Sequence, residues 1–67
     1  MEIEIKTEYI KLEQLLKYAN LVETGGMAKQ AIQEGLVLLN GEVEIRRGKK
    51  IYKGDIVKFN NEEIRVK

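Results

Sequence analysis

The sequence predicts an α+β domain in which two packed helices are followed by a small, mostly antiparallel sheet. Three observations carry this expectation. Leu12, Leu15, Leu16 and Ala19 recur at i, i+3, i+4 and i+7, the apolar stripe of a half-buried helix. Thr24 stands as an N-cap and Gly35 as a terminator around a second short helix faced with Ala28, Ala31 and Ile32. Asn40-Gly41 and Asn60-Asn61 then separate short apolar runs in the manner of two-residue hairpin turns.

In chain order, residues 2–6 alternate polar and apolar, so Ile3 and Ile5 share the inner face of an edge or near-edge strand. The first helix leaves Lys11, Glu13, Gln14 and Lys17 to solvent. Thr7 or Glu8 is available to cap it, without the Glu or Gln that a capping box needs, and Asn20 ends it. Leu21 and Val22 tie the connection to the core. Residues 36–39 read as a strand, and residues 42–45 return beside it with Val43 and Ile45 facing inward. Ile51 and Tyr52 form a short extended piece before the turn at Lys53, Gly54 and Asp55, and residues 56–59 and 63–66 make the last hairpin. The expected core is Leu12, Leu15, Leu16, Ala28, Ile32, Val37, Leu39, Val43, Ile56 and Val57, with Phe59.

The 67 residues bound the chain to one small domain, residues 1–67, burying only about 60% of the surface its unfolded form exposes. A catalytic cleft is hard to build at that size, and the inventory argues against one. There is no Cys, His or Ser, which excludes disulfides, the usual zinc constellations and a conventional nucleophile with its base. Asp55 reads as a turn residue and Glu62-Glu63 as a hairpin end. Lys29 follows Gly25-Gly26 without the Gly-Lys-Ser/Thr ending of a phosphate loop. No catalytic residue, no metal ligand and no cofactor are therefore expected. No apolar run approaches the ~18 residues of a membrane span, and the acidic, alternating start is unlike a signal peptide. A cytoplasmic monomer with no membrane partner is the expectation.

The net charge of +1 hides an uneven distribution. Residues 1–34 carry four basic and six acidic side chains, whereas residues 45–58 carry six basic ones against Asp55 alone. Arg46, Arg47, Lys49 and Lys50 bracket Gly48, an arrangement able to neutralise several phosphates. Lys29 and Gln33 lie one turn apart on the second helix, away from its apolar stripe. Gly25 and Gly26, poor helix formers, admit two readings: a tight turn or close packing against the first helix, or bare N–H groups offered to a phosphate. The Asn40-Gly41 turn reverses the chain so that the cationic run returns beside the second helix, joining the two segments into one basic surface.

This order of elements resembles the S4 RNA-binding domain across residues 10–59. The resemblance rests on Lys11-Leu12-Glu13-Gln14-Leu15-Leu16, Ala28-Lys29 and Ile32 with Gly35, Val37-Leu38-Leu39-Asn40-Gly41, and Gly54-Asp55. Gly25-Gly26-Met27-Ala28-Lys29 together with Arg46-Arg47-Gly48-Lys49-Lys50 looks most like the small stand-alone bacterial members, the YaaA-like group. The resemblance implies an S4-like fold with an αL-type motif and a non-enzymatic role in binding structured RNA. The RNA would be ribosomal or transfer RNA, on or near a ribosomal subunit, in assembly or maintenance of the ribosome. Taken together, the charge pattern, the helix spacing and the resemblance nominate Thr24, Gly25, Gly26, Lys29, Gln33, Asn40, Gly41, Arg46, Arg47, Lys49 and Lys50 for RNA contact, with the resemblance bearing on Lys29 rather than on Gln33. Many family members open the second helix with Ser-Arg, where this chain has Thr24-Gly25. The cap survives and the arginine does not, so its contact falls to Lys29, the glycine backbone or the cationic run.

Tyr9 and Tyr18 lie far in sequence from that run and Tyr52 alone lies close, so folded RNA read by shape is expected rather than a strand stacked base by base. The other class of function compatible with the residues is a protein-interaction adaptor that docks its basic loop on an acidic partner or ribonucleoprotein.

Overall fold

The main sheet is built around two tight turns. Asn40 and Gly41 adopt φ of 51° and 88°, and Asn60 and Asn61 adopt 51° and 65°, the left-handed pairs that match the natural twist of a two-residue hairpin. In the computed structural model, which describes residues 1–67, these turns join β3 (Val37–Leu39) to β4 (Glu42–Val43) and β6 (Ile56–Phe59) to β7 (Glu62–Val66). With β1 (Glu2–Ile3) they form a five-stranded sheet in the order β1-β7-β6-β3-β4. Every pairing is antiparallel except that of β1 with β7, so β1 is the edge strand expected of the first residues, but shorter than residues 2–6.

Two helices, α1 (Leu12–Tyr18) and α2 (Gly25–Gln33), pack against each other and close the core. Leu12, Leu15, Leu16 and Ala19 are buried along α1, and Ala28, Ala31 and Ile32 along α2. Thr24 caps α2 as expected: its Oγ1 accepts the Met27 N–H at 3.1 Å. Asn20 and Gly35 follow the two helices with φ of 60° and 78°, conformations that stop a helix at little cost for these residues. Val37, Val57, Phe59, Ile64 and Val66 face the helices from the sheet, and Ile5 and Val22 complete the same cluster.

Three expectations are corrected. Neither Thr7 nor Glu8 caps α1; residues just before it form a strand, β2 (Tyr9–Lys11), which pairs antiparallel with β5 (Lys50–Tyr52) in a separate two-stranded ribbon. Ile10 and Ile51 point from this ribbon into the core, with Ile51 fully buried. Val43 and Ile45 do not face inward but are 56% and 60% exposed, while Glu44 between them is buried. The turn accounts for Val43, since it sets Leu39 opposite Glu42 and Leu38 opposite Val43. Val37 is buried and side chains alternate along a strand, so Leu38 and Val43 must share the outer face. Leu39 and Ile56, also expected in the core, are only half-buried.

Candidate nucleic-acid interface

The cationic run is a tight turn anchored to the start of α1. The Lys49 N–H donates to the Arg46 carbonyl at 3.1 Å, closing a four-residue turn around Arg47 and Gly48. Its carbonyls then serve the helix. The Leu12 N–H donates to Lys49 O at 2.9 Å and the Glu13 N–H to Arg47 O at 3.0 Å. The first amides of a helix lack partners within it, and Lys11 at the N-cap supplies no side-chain acceptor, so the turn caps α1 with its own backbone. The hydrogen bonds that seat the run therefore go to α1, not to the second helix beside which it was expected. The turn is held at a defined place by a rigid element, and Arg47 and Lys50 remain exposed.

The four cations of the run are not equivalent. Arg46 Nε lies 2.9 Å from Glu44 Oε2 and its Nη2 lies 3.2 Å from Oε1, a bidentate pair, and the Arg46 backbone N–H also donates to Oε2 at 3.0 Å. These hydrogen bonds hold the Glu44 carboxyl below the usual carboxylate range and raise the guanidinium in turn. Glu44 is thus the one buried charged residue and it is satisfied. Arg47, Lys49 and Lys50 take part in no ion pair, the molecule's only two being Arg46 with Glu44 and Lys67 with Glu2.

On α2, Lys29 and Gln33 are exposed on one face, as their spacing requires. Thr24 occupies the Met27 and Ala28 amides through its hydroxyl and its carbonyl, which leaves those of Gly25 and Gly26 as open donors. Neither glycine is sterically required. A Cβ at Gly25 would meet nothing within 4 Å and one at Gly26 only Thr24 Oγ1 at 3.8 Å, and neither has a positive φ. The reading that they permit a tight turn or close helix packing therefore fails.

Asn40 has a different occupation. Its Nδ2 donates to Asp55 Oδ1 at 3.1 Å and its Oδ1 accepts the Ile56 N–H at 2.9 Å, while Asp55 Oδ2 accepts the Tyr52 N–H at 2.8 Å. The side chain fastens two turns together, and Gly41 beside it supplies the positive φ of the first.

Sequence reasoning missed the ribbon's outer face. Tyr9, far from the cationic run in sequence, is paired in register with Tyr52, their ring centroids 6.0 Å apart, and Lys50 Nζ lies 4.8 Å over the Tyr9 ring. The alternation Tyr9-Ile10-Lys11 was the available signal, but a three-residue strand whose partner is some forty residues away leaves no local trace.

The geometry defines a class: a small α+β module in which a packed helix pair carries a cationic turn locked onto a helix start. More particularly, the chain belongs to the S4 domain family, whose model matches residues 3–67. It is 50% identical over 57 residues to the probable ribosome maturation protein RlbA of Bacillus subtilis (strain 168), covering 85% of this chain and 80% of that protein. It is 39% identical over 61 residues to YbcJ of Escherichia coli (strain K12), covering 91% and 87%. The solution structure of YbcJ, described as revealing an αL motif involved in RNA-binding, superimposes with a TM-score of 0.74 at 36% identity, covering 97% of this chain and 84% of that one.

Proposed function

We propose that this chain is a non-enzymatic RNA-binding protein that recognises structured RNA, most plainly ribosomal RNA, and acts in assembly or maintenance of the ribosome. The carrying observation is the cationic turn, with Arg47, Lys49 and Lys50 unpaired and its backbone fixed to α1. Three cations crowded without acidic partners cost stability unless a polyanion meets them. Lys29 and the open amides of Gly25 and Gly26 offer a second set of phosphate donors, with Gln33 beside them and Thr24 holding the helix start. The names of RlbA and YbcJ's motif support the same reading. No helix here is long and apolar enough to cross a membrane, and a cytoplasmic setting suits an RNA ligand.

The test is the salt dependence of binding to a ribosomal RNA stem-loop. Replacing Arg47 and Lys49 with Gln should flatten the slope of log affinity against log salt by roughly 1.4 to 1.8, at about 0.7 to 0.9 per phosphate contact. An unchanged slope would remove the turn from the interface. Partners recovered from extract should also be lost on nuclease treatment; retention would favour docking of the turn on an acidic protein instead.

A further inference from the structure

The outer face of the β2–β5 ribbon carries four side chains. Tyr9 stands opposite Tyr52 and Lys11 opposite Lys50, while Ile10 and Ile51 alternate into the core. Two features of this face are unexplained by the fold. Like charges placed directly opposite each other destabilise an antiparallel pair, yet neither Lys11 nor Lys50 has an acidic partner. Two tyrosines stand side by side, tilted at 52°, with neither hydroxyl bonded to protein and Tyr52 43% exposed. Lys50 covers a face of Tyr9, so Tyr52 offers the more open ring.

We propose that this face is a stacking site for one unpaired nucleobase of the bound RNA, with the base on Tyr52 and the flanking phosphates on Lys50 and Lys11. The inference rests on the RNA-binding reading above and adds to it a contact that a fully paired helix cannot make. The ribbon is continuous with the cationic turn, since Lys50 follows Lys49 and the Leu12 N–H after Lys11 bonds to Lys49 O. Tyr52 and Lys50 are two residues apart on one strand, about 7 Å. A phosphate beside Lys50 and the base of an adjoining nucleotide on Tyr52 can therefore be met together. Polyanion binding also relieves the repulsion between the two lysines, and an aromatic face accepts any base. The resulting mode is mixed: a folded RNA held through its phosphates, with a bulged or looped-out base laid on the ribbon.

The experiment compares two stem-loops of equal length at one salt concentration, one fully paired in its stem and one carrying a single bulged adenine. Wild-type protein should bind the bulged form about 5- to 150-fold more tightly, the range that base–aromatic stacking supplies. Tyr52→Leu should abolish the difference and leave affinity for the paired form unchanged. Tyr52→Phe, which keeps the ring, should retain it. Arg47→Gln should weaken both forms alike. Equal wild-type binding of the two stem-loops, or a difference that survives Tyr52→Leu, overturns the stacking site alone. No binding of either overturns it together with the RNA reading.

Discussion

At the scale of single residues, the cations separate by what they touch. Arg46 is engaged by Glu44 on one edge of its guanidinium, so its charge is already offset, whereas Arg47 has no carboxylate partner. Arg46→Gln should therefore change the salt slope of RNA binding by less than Arg47→Gln, a comparison made by titrating both variants over one salt series. The pair also sets a pH dependence. Because Arg46 lowers the Glu44 pKa on folding, the stabilisation is fully present above the unfolded carboxylate value, about 4.3, and is lost as pH falls through the lower folded value. Glu2, held down by Lys67, acts in the same direction. Glu44→Gln should thus lower Tm at neutral pH, and thermal melts should show its deficit shrinking as the medium is acidified. Gly25 gives an opposite expectation. It lies in α2 with open space where a Cβ would go, so Gly25→Ala should stabilise the domain by up to about 1 kcal/mol. If it nonetheless weakens RNA binding, the glycine is there for close approach of the ligand backbone.

At the scale of elements, what could be read from sequence follows the range of the interactions. The stripe of α1, the Thr24 cap, the Gly35 stop and both Asn-containing turns are local patterns, and the structure contains each of them. Elements defined by distant partners were invisible. β2 exists because β5 pairs with it, and α1 starts at Leu12 because carbonyls of Arg47 and Lys49 accept its first amides, which is why no capping residue could be found upstream. Val43 differs for another reason: its apolar character suggests the inner face, but the register of its two-residue turn assigns it the outer one. Among the nominated contacts, Arg46, Arg47 and Lys49 do fall in one turn, with Lys50 next to it at the start of β5, but the side chain of Asn40 is committed to Asp55 and Ile56. Asn40→Ala should accordingly lower stability by roughly 0.5 to 1.5 kcal/mol, since it removes exposed hydrogen bonds to Asp55 and the Ile56 amide that water replaces in part. It should leave the salt slope of the folded protein unchanged. Denaturant melts and a salt series on the same sample separate the two effects, and a changed slope with unchanged stability would return Asn40 to the interface.

At the scale of the whole molecule, the candidate interface and the core are one structure. The cationic turn is seated on α1 amides, α1 is seated by Leu12, Leu15 and Leu16, and all three are fully buried against both α2 and the sheet cluster. A chain of this size holds roughly 3 to 10 kcal/mol of stability, at about 0.05 to 0.15 kcal/mol per residue. Leu16→Ala removes roughly 2 to 5 kcal/mol of it through lost burial and the cavity left behind, although Leu16 belongs to none of the nominated contacts. Apparent RNA affinity should fall because a large fraction of the variant is unfolded, not because a contact is missing. The two causes are distinguishable. A ligand that binds only the folded state stabilises it by about 2.7 kcal/mol at 100 times its Kd, enough to return much of the Leu16→Ala population to the fold. Circular dichroism of the variant should therefore show helix recovered as stem-loop RNA is added, with the wild-type salt slope at saturation. Arg47→Gln, folded throughout, should show no such recovery and a shallower slope. If Leu16→Ala stays unfolded at RNA concentrations that saturate the wild type, its loss exceeds what binding can offset; if it is folded without RNA yet binds poorly, the core stripe itself shapes the interface.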